Sequence, residues 1–231
     1  MTHEPHSDPL NQFDDKIVET TGTHGADIAS QRMDELDEAA LRYALDIRDE
    51  AVSALDLGCG LGAQGRRFSL MGLETTLVDI LDIQQRVELM NRLFEIGGLD
   101  FVQKDAREVT RSDLPGNLKL AYSQRFIHYL TWNEATELLS LLADQLQDGG
   151  RLFVSASGLN TELGEEYPDR NAPPEDRYSP LAPVMAEKHD IRQKVCLYER
   201  TDMERLLSET GFEVRSVSTS GFGNVKAIAE I

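Results

Sequence analysis

Residues 54–65 read ALDLGCGLGAQG. Gly58, Gly60, Gly62 and Gly65 follow a short apolar run that carries one acid, Asp56. Glycines packed this densely give up backbone entropy, so the loop must need bare backbone for something. Gly60-Leu61-Gly62-Ala63-Gln64-Gly65 satisfies GxGxxG, and Gly58 to Ala63 satisfies GxGxxA. Either spacing would suit a dinucleotide. A Walker-type loop is excluded, because no Gly-Lys-Ser/Thr follows. The third parse is Asp-x-Gly-x-Gly-x-Gly, with Asp56 two residues before the first glycine. A carboxylate there repels a pyrophosphate and suits an ammonium group. A ligand with an amino-acid tail and no phosphate therefore fits better than a dinucleotide.

Further chemistry-bearing residues follow at intervals. Asp79 ends the run TLVDI, about 20 residues after the first glycine, where a carboxylate accepts hydrogen bonds from ribose hydroxyls. Nicotinamide enzymes share that feature, so it points to a ribose and not to one cofactor. Asp105, just after DFVQK, could accept a hydrogen bond from an exocyclic adenine amine. His128, in AYSQRFIHYL, is the best general-base candidate, because an unperturbed imidazole titrates near neutrality. Its other reading is a packing residue at a helix start. Tyr43, Tyr129, Tyr167 and Tyr178 are candidates to line an acceptor pocket, and His189 is expected to be exposed. The histidines are dispersed, and no metal site is predicted.

These residues need elements to hold them. AVSALDLG, ETTLVDI, DFVQKDA, LKLAYSQ and RLFVSAS read as buried strands. Between them AQGRRFSLMG, LDIQQRVELMNRLFEIGG and NEATELLSLLADQLQ read as helices, stopped by Gly72, Gly97-Gly98 and Gly149-Gly150. Thr131 and Glu134 have capping-box spacing, as do Thr201 and Glu204 before a helix over DMERLLSETG. Strand–helix alternation with short connections predicts a doubly wound, mostly parallel α/β sheet. All three acids then sit at strand carboxyl ends, where such sheets bind ligands. FEVRSVSTS and NVKAIAEI flank SGFG and predict a C-terminal antiparallel hairpin. Residues 1–50 form an N-terminal arm and an amphipathic helix over 27–50; residues 51–231 form the main domain. Residues 158–200 are Pro-rich and aperiodic, the profile of a functional insertion. Arm and insertion together would make a lid over the bound acceptor.

Composition sets outer limits. Forty per cent hydrophobic content in 231 residues supports a substantial core. A net charge of −18 and a pI near 4.6 make nucleic acid a poor partner. No apolar stretch is long enough to span a membrane, and the first residues lack a secretory signal. Two distant cysteines, Cys59 and Cys196, fit a reducing cytoplasm. A homodimer is left open.

ALDLGCGLG with VDI, then KDA, then AYSQRFIHYL, resembles the class I S-adenosylmethionine-dependent methyltransferase family over residues 50–157, and the closing hairpin is similar to that family's last two strands. The resemblance implies a seven-stranded sheet with a reversed final strand and S-adenosylmethionine over the glycine loop. It assigns Asp56, Gly58, Cys59, Gly60 and Gly62 to the cofactor's methionine side, and Asp79 to its ribose. Ile80 would press on the adenine face, with Asp105 and Ala106 at the adenine edge. Ser123 and Gln124 would face the methionine part, Gln124 replacing the family's commoner small amide or acid. Arg32 would pair with the cofactor's carboxylate. The implied activity is methyl transfer to O or N of a small-molecule acceptor. A nicotinamide-dependent oxidoreductase and a catalytically silent S-adenosylmethionine-binding module are the competing readings.

Overall fold

The computed structural model of the protein describes Gly25 and residues 33–231. Helix α1 (Glu35–Ile47) starts at a capping box, in which Asp34 accepts from the Leu36 and Asp37 amides and Asp37 returns a bond to the Asp34 amide. Its apolar side carries Leu36, Ala40, Tyr43, Ala44 and Ile47. Strand β1 (Ser53–Leu57) is buried on both faces, as a central parallel strand must be. Then come α2 (Ala63–Leu70), β2 (Glu74–Asp79), α3 (Gln84–Phe94), β3 (Leu99–Gln103), β4 (Leu118–Ser123), α4 (Trp132–Gln145) and β5 (Arg151–Ala156). The insertion contributes β6 (Ser179–Pro180), α5 (Pro183–His189) and β7 (Lys194–Val195), and α6 (Arg200–Glu209), β8 (Glu213–Thr219) and β9 (Val225–Glu230) close the chain.

Seven strands form one sheet in the order β3-β2-β1-β4-β5-β9-β8. β1 to β5 pair in parallel, while β9 runs antiparallel to both β5 and β8. The expected mostly parallel sheet with a terminal antiparallel hairpin is the one observed. Side-chain alternation divides β1 between two layers. Leu55 and Leu57 join the core under α4 and α6, and Ala54 joins the core under α1 and α2 with Phe68, Tyr122 and Phe153. Asp56 shares the α2 side, and its Oδ2 accepts from the Gly65 amide at 2.8 Å. That contact requires helix and strand to touch. A Cβ at Gly65 would lie 2.1 Å from Leu77 Cδ2.

The order of strands at the switch point, where β1 leads to β2 and β4 leads to β5, opens a crevice beyond the strand ends. Residues of the 158–200 insertion, among them Leu159, Leu163, Tyr178 and Ile191, line part of it and form a cap with its own packing. They are ordered around a small core of Leu159, Leu163, Tyr167, Leu181, Ile191 and Leu197. Arg177 fastens this cap to the domain. Its guanidinium donates to Leu197 O and to Asp202 Oδ2, each at 2.7 Å, and to Ala172 O at 2.8 Å.

Several boundaries differ from expectation. α3 occupies only Gln84–Phe94, because Glu95 turns left-handed at φ 52° and caps it. The third strand ends at Gln103, which leaves Asp105 in the following turn. α6 is not capped by Thr201. Its capping box is Glu199 with Asp202, two residues earlier, because Asp202 must also meet Arg177. The described part of the first helix begins at Glu35 and ends three residues before Glu50.

Candidate active site

One large cleft, about 770 Å³, runs from the glycine loop to the inner surface of the cap. Its floor is made by the carboxyl ends of β1, β2 and β4. β1 presents Asp56, 3% exposed, and then Gly58, Cys59 and Gly60. Gly58 adopts φ 67°, and a Cβ there would lie 2.2 Å from Phe126 Cγ, so glycine is required twice over. The loop is held to β2 by main-chain bonds from Gly58 and Cys59 to Val78 O.

Asp79 lies at the tip of β2 with both oxygens engaged by backbone. Oδ2 accepts from the Gly60 amide at 2.8 Å and Oδ1 from the Leu81 amide at 2.9 Å. A carboxylate offers about four lone-pair directions, so capacity is left for hydroxyl donors. Ile80 is exposed and borders the same part of the cleft. Asp105 and Ala106 line it from beyond β3. Asp105 also forms an ion pair with Arg107 and accepts from the Arg107 amide, so it is at once a turn cap and a wall of the cleft.

The fourth strand supplies the opposite wall. Tyr122, Gln124, Arg125, Phe126 and His128 all border the cleft. Arg125 stands at φ 50°, held there by two bonds from its amide to Ser155, one to the carbonyl and one to Oγ. Left-handed geometry in a non-glycine residue costs about 1–3 kcal/mol and is found where surroundings enforce it. His128 is 2% exposed. Burial first, and the Arg125 charge second, pull its pKa down from the ordinary histidine range to about 3. Burial thus favours the neutral ring and pulls its titration below the near-neutral range expected of a general base. From the cap come Leu159, Leu163, Tyr178, Ile191 and the pair Glu162–His189, whose Oε2 and Nε2 are 3.2 Å apart. Among the described residues no group of three or more His, Cys, Asp or Glu is placed to hold a metal ion.

A family model described as a methyltransferase domain matches residues 28–217 of the chain. The protein belongs to the class I S-adenosylmethionine-dependent methyltransferase family. No curated protein matches it in sequence. Solved structures resemble it in fold. An S-adenosylmethionine-dependent methyltransferase from Clostridium acetobutylicum is 10% identical, with a TM-score of 0.65 over 88% of this chain and 94% of that one. Magnesium protoporphyrin IX methyltransferase from Synechocystis PCC 6803, solved with bound SAH, is 15% identical, with a TM-score of 0.60 over 84% and 80%. Human N-acetylserotonin methyltransferase, in complex with SAM, is 22% identical, with a TM-score of 0.52 over 84% of this chain and 53% of that one.

In this methyltransferase the structure gathers most of the expected site residues and separates a few. Asp56, Gly58, Cys59, Gly60, Asp79, Ile80, Asp105, Ala106, Gln124 and His128 share the cleft. Gly62 and Ser123 are not among its lining residues. Gly62 caps α2 at φ 77° and faces Leu77 and Met90. Ser123 is buried on β4, on the parity opposite to Tyr122 and Gln124. Gln124 lines the cleft and its amide donates to Asp34 Oδ2, at the start of α1, at 2.9 Å. Arg32 lies outside the described residues. Of the four tyrosines, Tyr129 and Tyr178 line the cleft. Tyr43 instead donates to Gly149 O, and Tyr167 to Val195 O inside the cap. His189 is not exposed, since its ring packs against Glu162 with 12% of the side chain accessible. Gln64, unmarked in the sequence because it reads as an ordinary helix residue, is buried beside Asp56, lines the cleft, and keeps its Nε2 without a partner among the described residues.

Proposed function

We propose that this methyltransferase uses S-adenosylmethionine to methylate an oxygen or nitrogen of a small-molecule acceptor. The observation that supports this most directly is the continuity of one cleft from the Asp56–Gly60 loop and Asp79 to an aromatic chamber beneath the cap. The residues present fit the cofactor. The left-handed glycine loop leaves backbone bare, Gln64 offers a buried unpartnered amide, and Asp56 places a buried carboxylate where an ammonium is welcome. Asp56, Gln64 and the loop would hold the amino-acid end, Asp79 the ribose hydroxyls, and Ile80, Asp105 and Ala106 the adenine. Bound there, S-adenosylmethionine supplies an electrophilic methyl group on a sulfonium.

The chain's own contribution is alignment and exclusion of water, which carry most of the catalysis of an in-line displacement. Tyr129, Tyr178, Leu159, Leu163 and Ile191 would enclose the acceptor. Residues 158–200 serve as its cover, with the N-terminal arm contributing at Gly25, whose amide bonds Asp190 O at 3.0 Å. A cleft of about 770 Å³ is in the size range of small-molecule sites, which supports a small acceptor.

Isothermal titration with S-adenosylhomocysteine and with NADH tests the reading, followed by a methyl-transfer screen over phenols, carboxylic acids and amines. Binding of S-adenosylhomocysteine but not NADH is the expected result. NADH binding alone would favour the oxidoreductase reading over this one, and tight cofactor binding with no transfer to any acceptor would favour a silent binding module.

A further inference from the structure

The reversed last strand carries a turn to the ligand side of the sheet. β9 runs antiparallel to β5 with Ala156 opposite Val225, so the turn that precedes β9 lies beside the carboxyl end of β5. In the strand order, β5 and β9 stand on the side of β4 away from β1 and β2, whose ends carry the glycine loop and Asp79. Gly221, Phe222 and Asn224 of this turn line the cleft. The turn is closed on itself. The Ser220 amide donates to Asn224 O and the Gly223 amide to Ser220 O, each at 2.9 Å, and the Asn224 amide donates to Ser220 Oγ at 3.1 Å. It is also set against the cap, backbone to backbone. A Cβ at Gly223, where φ is 84°, would lie 2.4 Å from Asn160 O, and one at Gly158 would lie 2.2 Å from Gly223 O. Neither position has room for a side chain, so the turn and the first residues of the cap are held in close contact.

Packing does not use up the side chains presented there. Phe222 keeps 43% of its surface accessible while bordering the cleft. Asn224 is half-buried, its side-chain amide makes no hydrogen bond among the described residues, and neither amide atom is closed off from solvent. An accessible phenyl ring gains most from a second ring, stacked with an offset or edge to face. A primary amide offers both a donor and an acceptor to a polar substituent. Tyr129 and Tyr178 add aromatic surface to the same cleft. We propose that Phe222 and Asn224 are specificity-determining residues that select a planar aromatic methyl acceptor. The ring of the acceptor lies against Phe222, and its hydroxyl or amine is hydrogen-bonded by the Asn224 amide. The fixed turn sets both groups in advance, so little ordering is needed when the acceptor enters. The inference rests on the methyltransferase reading only in naming the ligand as the methyl acceptor; the preference for a flat ring belongs to the chamber itself.

The test uses the full-length protein, with and without saturating S-adenosylhomocysteine, and three probes: 2-naphthol, its saturated counterpart decahydro-2-naphthol, and naphthalene. Ligand fluorescence reports binding of the two aromatic probes, and competition against 2-naphthol reports the saturated one. 2-Naphthol should bind about threefold to tenfold more tightly than decahydro-2-naphthol. Phe222→Leu, which keeps apolar bulk without a ring, should erase that preference, and Phe222→Tyr should retain it. Asn224→Ala should weaken 2-naphthol about fivefold and leave naphthalene unchanged, whereas a merely structural role would weaken both alike. Failure of 2-naphthol to bind, equal affinity for the flat and saturated alcohols, a preference that survives Phe222→Leu, or equal weakening of both aromatic probes by Asn224→Ala would each overturn the proposal. The expected ring preference without any binding of S-adenosylhomocysteine would count against the methyltransferase reading alone. Binding of S-adenosylhomocysteine without the ring preference would count against the aromatic acceptor alone.

Discussion

Acidification from about pH 7.5 to about pH 5 should remove about 2 kcal/mol of folding stability through His128 alone. In the unfolded chain this imidazole titrates near the ordinary value of about 6.5. In the folded chain burial and the neighbouring Arg125 bring its pKa to about 3. Between those values the unfolded state binds a proton that the native state refuses. Stability is therefore complete above the unfolded pKa, falls as pH drops through it, and goes on falling until the folded pKa is reached. At about pH 5 the solution is roughly 1.5 units below the unfolded value, and each unit is worth about 1.4 kcal/mol. The carboxylates whose pKa values are lowered by partners, Asp34, Glu35, Asp113 and Glu230, behave differently. Their contributions hold above the usual carboxylate range and are lost only below it, outside this window. Urea unfolding of the protein and of His128→Leu at both pH values isolates the histidine, because every other titration cancels in the difference. The variant should lose about 2 kcal/mol less than the parent over the interval. An equal loss in both proteins would show that the ring is solvated or already cationic in the native state, and the reasoning about its environment would fail.

Asp79→Ala should weaken S-adenosylhomocysteine binding by about 1–3 kcal/mol in a calorimetric titration, from lost charge-assisted hydrogen bonds; unchanged affinity would remove Asp79 from the site. Gly58→Ala combines a left-handed backbone with a Cβ 2.2 Å from Phe126 Cγ, so it should destabilise by about 2–4 kcal/mol, measured by chemical denaturation. Adding Phe126→Ala should recover part of that loss, and a neutral single variant would contradict the clash. Arg177→Met leaves the Asp202 carboxylate buried without its partner, at an expected cost of about 3–5 kcal/mol. Arg177→Met with Asp202→Leu should be more stable than Arg177→Met, and the reverse order would mean that the ion pair is not what fastens the cap.

The sheet was legible because its strands are short apolar runs separated by helices with glycine stops, a pattern that depends on neighbours along the chain. The glycine loop and Asp79 were legible for the same reason, since loop and strand tip are each continuous in sequence. Features that depend on distant partners were not. Nothing near His189 announces Glu162, because the pair joins the end of α5 to a turn 27 residues earlier. Ser123 and Gln124 adjoin in sequence, and nothing in the sequence itself shows that Ser123 is buried in β4 away from the cleft that Gln124 lines. The start of α6 shows how local signals compete. Glu199-to-Asp202 and Thr201-to-Glu204 both have the spacing of a capping box, and only the buried Arg177 decides between them. Tyr178 and Tyr167 have the same composition cue, and the cap's own core consumes one of them.

Asp202 carries a consequence of its own. One oxygen, Oδ2, receives both the Glu199 amide and the Arg177 guanidinium. Winding the first turn of α6 and holding the insertion's Arg177 thus use the same oxygen. Opening the insertion at this joint would leave the Asp202 carboxylate buried without its cation. An opening that keeps this joint closed would bend elsewhere in the insertion.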